Sequence, residues 1–253
     1  MDDFITSVVS NNILTLKINR PNARNALNQH MYLLLAQGLE QAQQDELIRV
    51  VLIQGTNDIF CAGNDMQDFQ AMSQGQPDQY GARFMRALIN CDKPIVAAVN
   101  GPAIGIGTTL LQFVDFLYVA PTAIFQTPFI AMGLCPEFGS SELLAQQIGT
   151  RKAKAMILAG ERMLATEAVT LGFANEVSTS ADDTAAAKAV SLAKLAPIAM
   201  RTSKAMLMNA SRQQLLDIIE YENKKLAYLV TQPESQEAVN AFIEKRQPDF
   251  NLC

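Results

Sequence analysis

The chain has 253 residues, nearly half of them apolar (49%), with 20 Lys and Arg against 25 Asp and Glu for a formal net charge of −5. That length suits one α/β core with an appendage, and no stretch is poor enough in apolar residues to suggest disorder. The acidic balance argues against a general nucleic-acid binder, which needs a basic face to displace counterions, though a local basic patch for a phosphorylated ligand stays open.

The opening MDDFITSVV carries two acids and no basic region of the secretory type. No apolar run approaches the roughly 20 residues that a membrane-spanning helix needs. The last residues, Asn-Leu-Cys, are not a peroxisomal address. Cys61, Cys91, Cys135 and Cys253 show neither metal-site spacing nor disulfide-scaffold density. The expectation is a cytoplasmic protein with neither a membrane nor a nucleic-acid partner.

Phe4 to Val9 and Ile13 to Ile18 read as strands of a hairpin, separated by Ser-Asn-Asn. Asn28 caps a helix on which Met31, Leu34, Leu35, Leu39 and Ala42 recur at helical spacing. Val50 to Ile53, Ile95 to Val99 and Phe116 to Val119 are short continuous apolar runs. Such runs suit parallel strands covered on both faces. Beyond residue 139 the pattern turns helical. Ser141 to Gly149, Lys152 to Gly160 and Ala165 to Gly172 read as short helices ending at glycine. Residues 182 to 209 form two helices divided at Pro197, followed by helices from Arg212 to Val230 and from Glu234 to Lys245.

Three segments break the ordinary pattern. Phe60-Cys61-Ala62-Gly63-Asn64-Asp65-Met66 follows a strand, and its small residues let backbone amides approach a ligand. Asn100-Gly101-Pro102-Ala103-Ile104-Gly105-Ile106-Gly107 follows another, leading into an apolar stretch, Thr108 to Val114, that reads as a buried helix. A turn of this kind presents free N–H groups at the positive end of the helix dipole. Either segment is also how a plain turn reads. The third runs from Thr127 to Ser141 and places Glu137 after Pro136, among apolar residues, at the mouth of a helix. A carboxyl so placed has a raised pKa and suits a general base, or else it is a helix N-terminal acid complementing the dipole.

Together these segments resemble the crotonase (enoyl-CoA hydratase/isomerase) family. Asn19-Arg20-Pro21-Asn22-Ala23-Arg24-Asn25-Ala26-Leu27 is similar to its N-terminal signature, and Cys61 to Met66 to its first oxyanion segment. Gly101 to Gly107 is similar to the second, and Ala241-Phe242-Ile243-Glu244-Lys245-Arg246 to the closing helix. The resemblance implies an α/β fold: a spiral of ββα turns over residues 1–195, then a helical trimerisation region over 196–253. It implies a homotrimer, or a dimer of trimers, acting on acyl-CoA thioesters. The amides of Ala62 and Ile106 would form the oxyanion hole. Arg24, Ala26, Leu27, Ala62, Gly63, Asn64, Asp65, Met66 and Gly105 would line the coenzyme A groove, and Phe242 and Lys245 would reach a neighbour's coenzyme A.

The family's hydratases hold water between two glutamates. Here Thr109 and Phe129 stand at those positions, and neither is a general base. Thr127-Pro128-Phe129, then Pro136-Glu137, then Gly139-Ser140-Ser141 is instead similar to the Δ3-Δ2-enoyl-CoA isomerase branch, where one glutamate moves the proton. Glu137 would be that base, with Thr109 and Phe129 as lining residues that keep water out, and no cofactor beyond the coenzyme A of the substrate; the alternatives are another acyl-CoA isomerase or a weak hydratase of this family, or a catalytically idle acyl-CoA binder. Other expectations follow from the residues themselves. Asp65 caps or positions its loop, Asp68 and Glu142 are solvated, His30 is a surface residue, and Cys61 and Cys135 are buried and inert. Phe84, Leu88 and Met132 set acyl-pocket depth.

Overall fold

The structure, a computed structural model, describes residues 4–56, 58–76 and 78–253. Residues 1–3, part of the segment read above as lacking a basic leader region, lie outside the described residues.

β1 (Ile5–Ser10) and β2 (Ile13–Ile18) pair antiparallel across Asn11 and Asn12, both at positive φ. Asparagine visits that region readily and fits the two-residue turn a twisted hairpin prefers. The Asn28 side chain accepts the Met31 amide at 2.9 Å and opens α1 (Gln29–Gln44), whose periodic apolar face is buried. The chain continues through β3 (Val50–Gln54), α2 (Met66–Ser73), α3 (Gly81–Ile89), β4 (Ile95–Val99), β5 (Pro102–Ile104) and α4 (Ile106–Thr109). Next come β6 (Phe116–Val119), β7 (Ile124–Gln126), α5 (Ser140–Ile148), α6 (Thr150–Ala159), β8 (Met163–Leu164), α7 (Ala165–Thr170) and β9 (Glu176–Val177). α8 (Ala181–Ala193), α9 (Pro197–Asn209), α10 (Arg212–Leu229) and α11 (Pro233–Ile243) complete it.

The main sheet has the order β1-β2-β3-β4-β6-β9, parallel from β2 onward. Its strands read as continuous apolar runs because both faces are covered. Leu14, Leu16, Val51, Ile53, Ala97 and Val99 face one core with α1. The alternate residues Ile13, Val50, Leu52, Val96 and Ala98 meet the alanine face of α8. A second layer contains β5-β7-β8, extended by parallel bridges between Cys61 and Ala103 and between Leu27 and Asn64. Each turn of the chain thus gives one strand to the main sheet and one short extended piece to the second layer before a helix returns it. That is the ββα spiral which the resemblance implies.

Two details differ from the sequence reading. The stretch Thr108 to Val114 is buried as expected, but the α-helix lasts four residues and tightens into a 3-10 turn at Leu110–Phe113. The Asp115 amide already pairs with the Ile95 carbonyl, so the chain must re-enter the main sheet without room for a longer helix. The second glycine segment also holds a short strand, β5, that no periodicity announces, because three residues are too few to show one. At the C-terminal end, Leu215 and Ile219 of α10 enter the main core, while Val230 and Val239 pack with Phe69, Phe129 and Leu134 over the second layer. Among the described residues no helix is long and apolar enough to cross a membrane.

Candidate active site

The first glycine segment is fixed from the N-terminal signature. Asn25, fully buried, donates its side-chain amide to the carbonyls of Ile59 (3.0 Å) and Phe60 (3.2 Å) and accepts the Arg20 amide at 2.8 Å. Arg20 also pairs with Asp65, whose carboxylate caps α2 through the Gln67 amide at 2.8 Å. Asp65 is therefore a positioning acid, as read from sequence. The second glycine segment packs tightly on the first. A Cβ at Gly107 would stand 2.7 Å from the Cys61 carbonyl oxygen, so only glycine allows this approach.

The amide inventory corrects one expectation. The Ala62 N–H donates to the Arg24 carbonyl at 3.1 Å, holding the two motifs together, and is not free for a ligand. Asn64 and Ile106 are different: among the described residues neither amide has a protein partner, and both residues line the same cavity. The Asn64 side chain is held by a hydrogen bond from the Tyr32 hydroxyl.

Glu137 lies three residues before α5, in a turn where Phe138 and Gly139 take consecutive left-handed conformations, at φ 55° and 72°. Phe138 is anchored against Phe113 and Phe84, with ring centroids 4.4 and 6.0 Å away. The Ser140 hydroxyl donates to the Glu137 carbonyl at 2.6 Å. Glu137 is 4% exposed, and its carboxyl accepts no hydrogen bond from a described residue. Burial, then the nearby charges of Glu222 and Asp78, push its pKa up to about 8.

Two cavities meet at this residue. One, about 480 Å³, is lined by Arg24, Ala26, Ala62, Gly63, Asn64, Asp65, Met66, Gly105, Ile106, Phe129, Met132 and Phe242. The other, about 390 Å³, runs past Leu27, Tyr32, Phe69, Met72, Met85 and Val230. Glu137, Asn64, Phe69 and Leu226 border both.

Several expected residues fall elsewhere. Leu27 faces the second cavity, not the groove beside Arg24. Lys245, exposed at positive φ just beyond α11, borders neither cavity of its own chain, and its reach toward a neighbour's coenzyme A stays a proposal. Thr109 is buried behind the site and its hydroxyl has no partner among the described residues, so it backs the wall and does not line it. Phe84 and Leu88 are core residues; Met85 of the same helix reaches the cavity, with Gly81 and Ala82. Asp68 is not simply solvated: it is half-buried, accepts the Gln29 amide at 2.7 Å, borders the second cavity, and has its pKa raised by burial. Cys61 is buried, with burial pushing its thiol up to about 12, whereas Cys135 is only half-buried. Glu142 and His30 are exposed surface residues.

Tyr32 and Glu222 are among the site residues that the sequence does not announce. Tyr32 sits beside Met31 on the buried face of α1 and passes for core. Glu222 follows Leu215 and Ile219 and precedes Leu226 at helical spacing, an acid set into an apolar stripe. That misplaced charge was the available signal, since a carboxylate on a core-facing stripe needs partners.

Comparison with known proteins identifies the family and agrees with the fold. Residues 9–252 match the family model for enoyl-CoA hydratase/isomerase. The chain belongs to that family, the crotonases. Rattus norvegicus enoyl-CoA delta isomerase 2 is 31% identical over 242 residues, covering 92% of this chain, which spans 62% of that longer protein. Escherichia coli 2,3-dehydroadipyl-CoA hydratase is 32% identical, covering 94% of each chain. The crystal structure of an enoyl-CoA hydratase/isomerase from Pseudoalteromonas atlantica superposes with a TM-score of 0.93, at 36% identity over 98% of this chain and 100% of that one.

Proposed function

We propose that the protein is a Δ3-Δ2-enoyl-CoA isomerase whose single base is Glu137. The observation that carries this reading is the position of Glu137: a buried carboxyl at the junction of two cavities, with no hydrogen bond to its oxygens from the described residues. Thr109 and Phe129 hold the places of the hydratase glutamates, so no second carboxylate is poised to activate water there. Asp65, the other acid of the larger cavity, is committed to Arg20 and to the cap of α2.

In this reading the coenzyme A portion enters past Arg24 and Ala26, and the acyl tail runs into the cavity of Leu27, Met72 and Met85. The amides of Asn64 and Ile106 hold the thioester oxygen. Ionised Glu137 takes a proton from C2. The electron pair of that C–H bond moves into the C1–C2 bond and onto the thioester oxygen, and conjugation with the C3–C4 double bond spreads the charge to C4, giving a dienolate. The amides stabilise this charge as it forms, which is where hydrogen-bond donors accelerate a reaction. The neutral carboxyl then returns the proton at C4, leaving the double bond between C2 and C3. Phe129 helps keep water from the intermediate. No cofactor takes part, since coenzyme A belongs to the substrate. The rat relative, by its name an enoyl-CoA delta isomerase, supports the reaction class.

Exposed Ile198, Met206 and Leu207 on α9, at 81, 72 and 82% exposure, support assembly as a homotrimer or a dimer of trimers. Such assembly would bring a neighbour near Phe242. A cytoplasmic location belongs to the same proposal. The test is to assay 3-enoyl-CoA and 2-enoyl-CoA thioesters separately. Isomerisation at least about 10²-fold faster than hydration is expected, on the scale of a lost general base. Hydration matching isomerisation, or binding without turnover of either, would refute the assignment.

A further inference from the structure

Glu222 lies on α10, 85 residues from Glu137, yet its carboxylate reaches into the turn that carries Glu137. One oxygen accepts the Gly139 amide at 2.6 Å and the other the Ser141 amide at 3.0 Å. These amides open α5, where the N-cap position is Gly139 and no side chain of the turn can cap the helix. Glu222 supplies the missing cap from another element, and its charge suits the positive end of that helix. It is 3% exposed, and among the described residues no Lys, Arg or His forms an ion pair with it.

We propose that Glu222 is the positioning residue of this site, clamping the catalytic turn from the C-terminal helices and setting a second carboxylate against Glu137. The clamp explains how a turn with two left-handed residues in succession stays fixed. It also gives the C-terminal region a function in catalysis beyond covering the core. Two buried carboxyls held on one turn resist ionising together, so a charge on Glu222, fixed at the Gly139 and Ser141 amides, favours the protonated form of Glu137. The other titratable groups around Glu137 are Asp78 and Asp68 at the tail cavity, Tyr32 on α1, Cys61 on the first glycine segment and Cys135 just before the turn. The cations that act on this set are Arg20, on Asp68, and Lys225, on Cys135; neither is among the influences on Glu137. Glu222 is the largest charged influence on Glu137, ahead of Asp78.

This inference rests on the assignment of Glu137 as the base, but it can be tested without substrate. The full chain is labelled with carboxyl-13C glutamate, and the Glu137 signal is assigned by its loss in Glu137→Gln. Its titration is then followed in wild type, Glu222→Gln and Glu222→Asp. Glu222→Gln, which keeps the shape and removes the charge, should lower the Glu137 midpoint by about one pH unit. Glu222→Asp, which draws the charge back by one methylene, should lower it by less. Both should reduce kcat at its high-pH plateau, where Glu137 is fully ionised in every variant, more than they raise KM, and the acid limb of the kcat/KM profile should move to lower pH with the titration. A Glu137 midpoint unmoved in both variants overturns the proposal, even if activity falls. Should Glu222→Gln fail to fold, Glu222→Asp alone decides it. The reaction assignment fails on a different result, full isomerisation by Glu137→Gln.

Discussion

The Tyr32 hydroxyl donates a hydrogen bond to the side-chain carbonyl of Asn64, tying α1 to the residue whose free amide faces the larger cavity. Tyr32 is buried, and burial followed by the proximity of Glu137 raises its pKa well above the usual value, so it acts as a neutral donor throughout the working range. Tyr32→Phe leaves the Asn64 carbonyl without its donor and frees the residue to shift. Loss of such a bond in a buried site costs about 1–3 kcal/mol. We expect kcat to fall roughly tenfold, because small displacements of an oxyanion donor weaken it steeply. An unchanged kcat in Tyr32→Phe would remove Tyr32 from the site.

The pKa of Glu137, near 8, sets the pH dependence. A base works only when ionised, so at pH 7 about one molecule in ten is competent. Activity should rise with pH and level off above 8, where an ordinary glutamate would already be saturated at 6. For stability the sign is reversed. Folded Glu137 binds its proton more tightly than the unfolded chain does, so stability falls as pH climbs from about 4.5 to about 8. Glu137→Gln should therefore stabilise the fold at pH 8, on the order of 2–3 kcal/mol. Thermal unfolding of both proteins at pH 5 and pH 8 reads this directly: the difference should be small at 5 and large at 8.

Gly107 tests the contact between the two glycine segments. Alanine there would place its Cβ 2.7 Å from the Cys61 carbonyl and 2.9 Å from the Cys61 Cβ, forcing the segments apart. The Ile106 amide would move away from the Asn64 amide. A displacement of about 1 Å in such a pair costs on the order of 10²-fold in rate. Steady-state kinetics of Gly107→Ala should show that loss mainly in kcat, with circular dichroism confirming a folded chain.

Much of this was legible in the sequence. The hairpin, the two-face-buried strands, α1 with its Asn28 cap and the glycine-terminated helices all carry local signals, and the structure follows them. Glu137 was legible because Pro136 and apolar neighbours leave a carboxyl there without solvent. What escaped depended on contacts between distant residues. Which amide is free, Ala62 or Asn64, turns on a carbonyl of Arg24 some forty positions earlier in the chain. The spacing of a motif does not encode that. Glu222 and Tyr32 lie on apolar helix faces, where periodicity reads a side chain as core regardless of the polar atom at its tip. Asp68 was read as solvated because its local pattern is polar, whereas burial comes from the neighbouring start of α1.

Assembly offers a separate prediction. Ile198→Asp with Leu207→Asp places charge on the apolar face of α9 and should yield a smaller species by size-exclusion chromatography with light scattering. Wild type should elute as a trimer or hexamer. A monomeric wild type would contradict the assembly proposed for this face.

The central measurement is the 3-enoyl-CoA isomerase rate of Glu137→Gln beside the affinity of the same variant for the substrate thioester. Glutamine keeps the shape of the turn but carries no proton to exchange. Turnover should fall by about 10²–10⁴-fold while binding stays within a few-fold of wild type. Isomerisation at the wild-type rate would contradict the account, since the proton would then be moved by another group.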